Sequence, residues 1–292
     1  MGPVRRPAWL TVLAYAALTV STAVIAYPLL FILLGSFATP EEVNAAPFLP
    51  IPHSFSLRTY EAILTTCRQE GCVPVSAAIT AVRVLWYIGW AMLVSIMGGY
   101  VFARLSFPFK RPLFVFFLSG LMIPPLLTVL PQYIMLARVP LVGDNDLLGR
   151  GGHGLINQWP ALGVFGLLNV LALFLVKQNY EMLPADYEEA ARVDGAGTLR
   201  VIFQIYVPML RPALVAVTVL QFVEIWNDYF APLVFVGGNA DVSPIALTMQ
   251  RLAGGGRGSD AAAILMCLPT VVLYLVLQRY FVQGLAGAGL KG

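Results

Sequence analysis

Six apolar runs, at about 8–37, 77–103, 112–137, 159–180, 209–236 and 261–281, alternate along the chain with more polar segments, most of them rich in proline or glycine. Each run is long enough for a helix to cross the hydrocarbon core of a bilayer, which takes about 20 apolar residues. The first run carries no charge and follows Arg5 and Arg6. It exceeds the apolar core of a signal peptide and reads as an uncleaved first span. Pro124, Pro125 and Pro131 break the third run. The pattern predicts an all-α integral membrane protein, six transmembrane helices in one domain over 1–292, with a polar segment at 184–208 between spans four and five.

Composition agrees. The chain is 59% hydrophobic and 11% charged, with a mean hydropathy of +0.78, whereas soluble domains carry about 25% charged residues. The net charge of +3 is spread out, with no basic patch interleaved with aromatics that would suit a nucleic acid. Lysine and arginine placement orients the spans. Arg5, Arg6, Arg104, Lys110, Arg111, Lys177, Arg192, Arg200, Arg211, Arg279 and Lys291 fall on one side. Arg58, Arg68, Arg138, Arg150, Arg251 and Arg257 fall on the other. The richer side is expected to be the cytoplasm, which puts both termini and the 184–208 segment there.

Within that segment, Pro184 suits the first position of a helix. Asp186, Glu188 and Glu189 in the first turns complement the helix dipole, and Glu188 and Arg192 are spaced i,i+4 in the favourable order. Gly195 suits a left-handed helix end. Thr198 is then the expected N-cap of a second short helix through Tyr206, closed by Pro208. Two short helices joined at a glycine make a docking element.

Glu189-Ala190-Ala191, Gly195 after three intervening residues, and Ile205-Tyr206-Val207-Pro208 together resemble the coupling signature of ABC-importer permeases. The family's pattern ends in Ile-x-Leu-Pro, and Val207 is the departure. Trp226-Asn227-Asp228 and the ending from Gln278 to Leu285, closing in Lys291-Gly292, are similar to the smaller permease of maltose-type carbohydrate importers. The resemblance implies the translocation subunit of an ATP-driven importer in a bacterial or archaeal cell membrane. It implies a second, non-identical permease, two cytoplasmic ATPase subunits and an extracytoplasmic substrate-binding protein as partners. The ATPase-coupling residues would be Glu188, Glu189, Ala190, Ala191, Asp194, Gly195, Ile205 and Pro208. It also implies that the tail from Gln278 lies at the ATPases, its glycines making it pliable rather than helical, and that the loop 237–260 reaches the binding protein.

The chain itself holds no phosphate-binding loop. Lys110, Lys177 and Lys291 are followed by Arg111, Gln178 and Gly292, so none completes the Gly-Lys-[Ser/Thr] that cradles phosphates. ATP and magnesium are expected on the partner ATPases, with no cofactor or metal here. His53 and His153, the only histidines, fall in loops, and no nucleophile–base constellation suggests an intramembrane enzyme. Gln221, Glu224 and Asp228 recur at i, i+3 and i+7 beside Asn227, and ionisable groups at membrane depth face a partner, a cavity or a substrate path. They are candidates for the translocation pathway or for contact with the other permease. In the loop, Ser243-Pro244 predicts an extended entry, Ile245–Leu252 a helical turn, and Gly254-Gly255-Gly256 a flexible return. Cys67 and Cys72 are either a disulfide or two free thiols. The remaining alternatives are an importer of a non-carbohydrate solute and an autonomous secondary carrier, which would leave the coupling signature without a purpose.

Overall fold

The computed structural model describes residues 8–39, 42, 48–53, 55–65, 67–68, 71–253 and 259–288. These residues are mostly helical. In chain order the helices are α1 (Ala8–Gly35), α2 (Arg58–Thr65), α3 (Val73–Arg104), α4 (Lys110–Ser119), α5 (Pro125–Ala137), α6 (Val170–Met182), α7 (Asp186–Val193), α8 (Thr198–Met209), α9 (Arg211–Trp226), α10 (Phe230–Val236), α11 (Ile245–Ala253) and α12 (Ser259–Ala288). Short 3-10 turns stand at Gly120–Met122, Trp159–Leu162 and Ala240–Val242. A two-residue hairpin, β1 (Cys67–Arg68) against β2 (Gly71–Cys72), pairs Cys67 with Cys72, and a disulfide joins them.

The chain divides into two compact units, Met1–Thr66 with Met249–Cys267 and Cys67–Thr248 with Leu268–Gly292. In the first, α1 is apolar on every face and its described side chains are largely exposed, as expected of a helix surrounded by lipid or by another apolar surface. Beyond its end, the Tyr60 hydroxyl donates to Ser36 Oγ at 2.7 Å and the Phe37 ring meets Phe55 and Tyr60.

In the second, α3 is the axis. Ser76, Thr80, Val84, Tyr87, Ala91, Ser95 and Gly99 recur every three or four residues and are buried along one stripe. Small residues there let a neighbouring backbone come close. A Cβ at Gly98 would meet Leu173 at 2.9 Å, and one at Gly99 would meet Val176 at 3.0 Å, so α6 packs directly on this stripe. One core cluster joins Ile96 and Tyr100 to Val176 and Tyr180, Val201, Ile202, Tyr206 and Val217. Another gathers Val129, Leu136, Ile156, Leu162, Phe235 and Val236.

Several expectations change. Among the described residues, three helices are long and apolar enough to cross a membrane, or five if each of two bent pairs is one span. The third run is such a pair, bent by 97° where Pro124-Pro125 interrupts it, whereas Pro131 is carried inside α5. The fourth run opens with the 3-10 turn at Trp159–Leu162 and is α-helical only from Val170, with Gly163 and Gly166 in the non-helical stretch between. The fifth splits at 227–229 into α9 and α10. The tail is helical as far as Ala288, against the expectation of a pliable ending: apolar residues continue past Gln278, and two isolated glycines, Gly284 and Gly287, do not end the helix. Lys291 and Gly292 lie outside the described residues.

Candidate functional site

The polar segment forms two helices joined at a glycine. α7 starts at Asp186, two residues beyond Pro184, with Asp186, Glu188 and Glu189 in its first turn. It ends in a Schellman turn: the Ala196 N–H donates to Ala191 C=O at 2.9 Å and the Gly195 N–H to Arg192 C=O at 3.0 Å, with Gly195 at φ +78°. Asp194 is the C-cap residue. Thr198 is the first residue of α8 rather than its cap, which is Gly197. Pro208 does not close α8. It cannot supply the N–H that Gln204 C=O would take in an α-helix, and the chain instead widens to a π-turn over Val201–Tyr206 before continuing to Met209.

Glu188 is the root of this element. Its side chain is 12% exposed. Oε1 accepts from the Tyr100 hydroxyl at 2.6 Å and from Arg192 Nη2 at 2.7 Å, and Oε2 accepts from the Tyr206 hydroxyl at 3.0 Å. Arg192 Nη2 also donates to the Tyr100 oxygen at 3.0 Å. Burial pushes the Glu188 carboxyl up, but the hydrogen bonds from Tyr100, Arg192 and Tyr206 and the Arg192 charge outweigh it and hold it below its ordinary value. The rings of Tyr100, Tyr180 and Tyr206 pack edge to face or tilted, with centroids 5.2–6.2 Å apart. Arg104 donates to Leu183 C=O at 2.6 Å and lies over the Tyr206 ring. The carboxylate thus ties α7 to α3 and to α8.

Most of the other signature residues face outward. Glu189, Ala190, Asp194, Gly195 and Pro208 are exposed, while Ala191 and Ile205 are half-buried. Val193, Leu199, Tyr187 and Phe203 expose large apolar surfaces around them. A Cβ at Gly195 would meet nothing within 4 Å. The segment presents small and apolar side chains outward while its base is clamped.

In the fifth run, Gln221 is buried and donates through Nε2 to Glu224 Oε2 at 3.3 Å, while Glu224 itself is exposed. Asp228 does not continue their face, because α9 ends at Trp226 and Asn227 caps it, its side chain donating back to Val223 C=O. Asp228 is instead ion-paired with Arg83 of α3 at 2.5 Å. Arg83 is 5% exposed, and its Nε also donates to Leu162 C=O. Trp226 stacks on Phe222 with centroids 5.5 Å apart.

The loop after α10 begins against α3. Ser243 and Pro244 are buried, the Ile245 N–H donates to Thr80 Oγ1 at 2.8 Å, and the hydroxyls of Thr248 and Ser76 share a hydrogen bond of 2.7 Å. Helix α11 follows, where the sequence predicts a helical turn. Gly254, Gly255 and Gly256 lie outside the described residues.

Residues 95–287, which include α7, α8 and the fifth run, match the family described as binding-protein-dependent transport system inner membrane component. The chain belongs to that family. This permease is a transport subunit of the membrane and not a catalytic one. Among its relatives, it is 32% identical over 203 residues to the osmoprotective compounds uptake permease protein of Synechocystis sp., covering 68% of this chain and 64% of that one. It is 28% identical over 275 residues to the diacetylchitobiose uptake system permease protein of Streptomyces coelicolor, covering 91% of this chain and 84% of that one. Its fold matches a chain in the crystal structure of a bacterial ABC transporter involved in the import of the acidic polysaccharide alginate. That match has a TM-score of 0.77 at 18% identity over 96% of this chain and 99% of that one.

The sequence reading missed Tyr100 and Tyr206 as partners of Glu188, Arg104 as the cation over the Tyr206 ring, and Arg83 as the partner of Asp228. Arg83 gave one signal: it is an arginine inside an apolar run, and such a charge requires a partner.

Proposed function

We propose that this permease is a translocation subunit of an ATP-driven, binding-protein-dependent importer of a carbohydrate or related polyol derivative. The observation that carries the proposal is α7 with its Schellman turn, outward-facing at Glu189, Ala190 and Gly195 and clamped at its root by Glu188. A surface of this kind suits the cleft of a cytoplasmic ATPase, and a base bonded to α3 and α8 passes the ATPase's movement into the spans. Six spans, both termini in the cytoplasm, a second and different permease, two ATPases and an extracytoplasmic binding protein complete the assembly.

Gln221, Glu224 and Asn227 are proposed to face the substrate path or the second permease, and Asp228 to hold the break between α9 and α10 through Arg83. The loop 237–260 is proposed to meet the binding protein beyond its anchored start at Ser243 and Pro244, and the C-terminal end to meet the ATPases. The carbohydrate reading draws on the relative named for diacetylchitobiose uptake. Purification of the permease with its partners, followed by identification of the ligand kept by the binding protein, tests it. A sugar or polyol supports the proposal; an amino acid, peptide or inorganic ion moves it to a non-carbohydrate importer. Uptake that persists without ATP or an ATPase makes the chain a secondary carrier instead.

A further inference from the structure

From the turn between α3 and α4 we infer a binding site for one anionic phospholipid. A cavity of about 780 Å³ lies there, walled by Phe102, Phe114 and Val115 and rimmed by Lys110, Arg111 and Lys177. That volume suits a headgroup and the first carbons of its chains, since sites for small ligands span about 300–1,000 Å³.

The charges in this cavity are unbalanced. Glu181 is its one carboxylate, and it is already paired with Lys177 at 2.8 Å. No carboxylate among the described residues pairs with Lys110 or Arg111. Lys110 Nζ donates to Leu105 C=O at 2.9 Å, which fixes the ammonium at the mouth without neutralising it. Arg111 is exposed. The amides of the first turn of α4 add to the positive field, for Phe109 stands before them with no side-chain cap.

The walls are apolar and continue outward. Lys177 Nζ sits 4.8 Å from the Phe114 ring centroid, leaving the ring both a cation partner and a wall. Val115 and Phe116 on α4 are 62% and 70% exposed. Phe109, in left-handed backbone at φ +61° and 80% exposed, stands beside the basic pair. Lysine and arginine at the start of a helix with exposed apolar side chains, with an exposed aromatic beside them, match the layering of a bilayer at headgroup depth. A free phosphate would use the rim and leave the phenyl walls empty; a neutral lipid would use the walls and leave the rim uncompensated. An anionic phospholipid uses both.

The inference rests on reading 112–137 as a broken span whose basic end lies at the cytoplasmic surface. The test is native mass spectrometry of the full chain in mild detergent. The protein is titrated with phosphatidylglycerol, phosphatidylcholine of the same chains, or inorganic phosphate. One phosphatidylglycerol should bind more tightly than phosphatidylcholine, and phosphate should not displace it. Arg111→Gln should weaken that binding about fivefold, and Lys110→Gln with Arg111→Gln about twentyfold or more, from roughly fivefold per charge near a surface. Arg111 makes no bond to the turn, so its variant tests the site even if Lys110→Gln disturbs folding. Arg150→Gln, remote in sequence, should change nothing. Equal binding of the two lipids, equal loss in Arg150→Gln, or displacement by phosphate overturns the site. A photo-crosslinker at Val115 that labels protein instead of lipid in native membranes also overturns it, and assigns the groove to a protein. Labelling of lipid from the extracytoplasmic leaflet would sink the orientation and leave the pocket itself standing.

Discussion

Helix α3 carries two anchors for acidic side chains, and they differ in how their partners meet. Near its C-terminal end, Tyr100 holds Glu188, which is also bonded to Arg192 four residues along the same short helix. Seventeen residues earlier, or about 25 Å along the axis, Arg83 holds Asp228 across 145 positions of sequence. The first anchor grips a surface element from beneath and leaves that element's outer face uncovered. The second is a two-member ion pair inside the helix packing, fixing the break between α9 and α10. A carboxylate with three donors joins three helices at one point, as the proposed coupling role requires. A pair between a buried arginine and a half-buried aspartate keeps two segments in register.

The largest effect should come from removing the root of the first anchor. Glu188→Ala leaves the hydroxyls of Tyr100 and Tyr206 and the Arg192 guanidinium without their acceptor, at a cost of about 3 kcal/mol for hydrogen bonds to a charged group. Import into membrane vesicles should fall tenfold or more while the chain still inserts. Import above half of wild type would mean that the clamp transmits nothing.

Breaking the second anchor should act on stability before transport. Arg83→Leu or Asp228→Leu alone strands a charge in a poorly solvated place and should cost about 3 kcal/mol, with the double replacement costing less than either. Thermal unfolding of the detergent-solubilised chain measures all three. Additive losses would show that the two residues are not coupled.

Smaller still is the backbone effect at Gly195. Alanine there costs about 1 kcal/mol for the left-handed conformation, and asparagine less. A Cβ at this position has open space around it in the chain alone. If the space belongs to a docked partner, Gly195→Asn should reduce import more than its small loss of stability explains. Equal proportional losses in import and stability would remove Gly195 from the contact.

The mildest test is pH. Because the folded Glu188 carboxyl lies below its ordinary value of 4.5, folding favours the carboxylate. Its contribution is complete above about pH 4.5 and is lost as pH falls through the lower folded value. Between pH 7 and pH 4, wild type should lose more thermal stability than Glu188→Gln. An identical loss in both would separate the carboxylate from the stability of the clamp.

The sequence disclosed whatever is set by neighbours along the chain. The i,i+4 pair of Glu188 and Arg192, the left-handed Gly195, the two-helix segment and the break at Pro124-Pro125 all follow from local geometry, and each is present. Arg83 with Asp228, and Tyr100 and Tyr206 with Glu188, depend on which helices pack together, and periodicity within one helix carries no such information. The reading of Asp228 on the face of Gln221 and Glu224 failed because α9 stops at Trp226. Pro208 failed as a stop because a π-turn absorbs its missing donor, and the helical tail shows an apolar run outweighing scattered glycines.

The central claim is that the outward face of α7 is where an ATPase seats, and one substitution addresses it without touching the clamp. Glu189 is exposed and makes no ion pair among the described residues. Its replacement in Glu189→Lys should leave the bonds of Glu188 and the insertion of the chain intact. With the variant co-expressed with its partner subunits, ATP-dependent import should fall to background, and the ATPase should be lost from, or uncoupled in, the purified complex. Import at near wild-type rate with the ATPase retained and stimulated by the loaded binding protein would contradict the account.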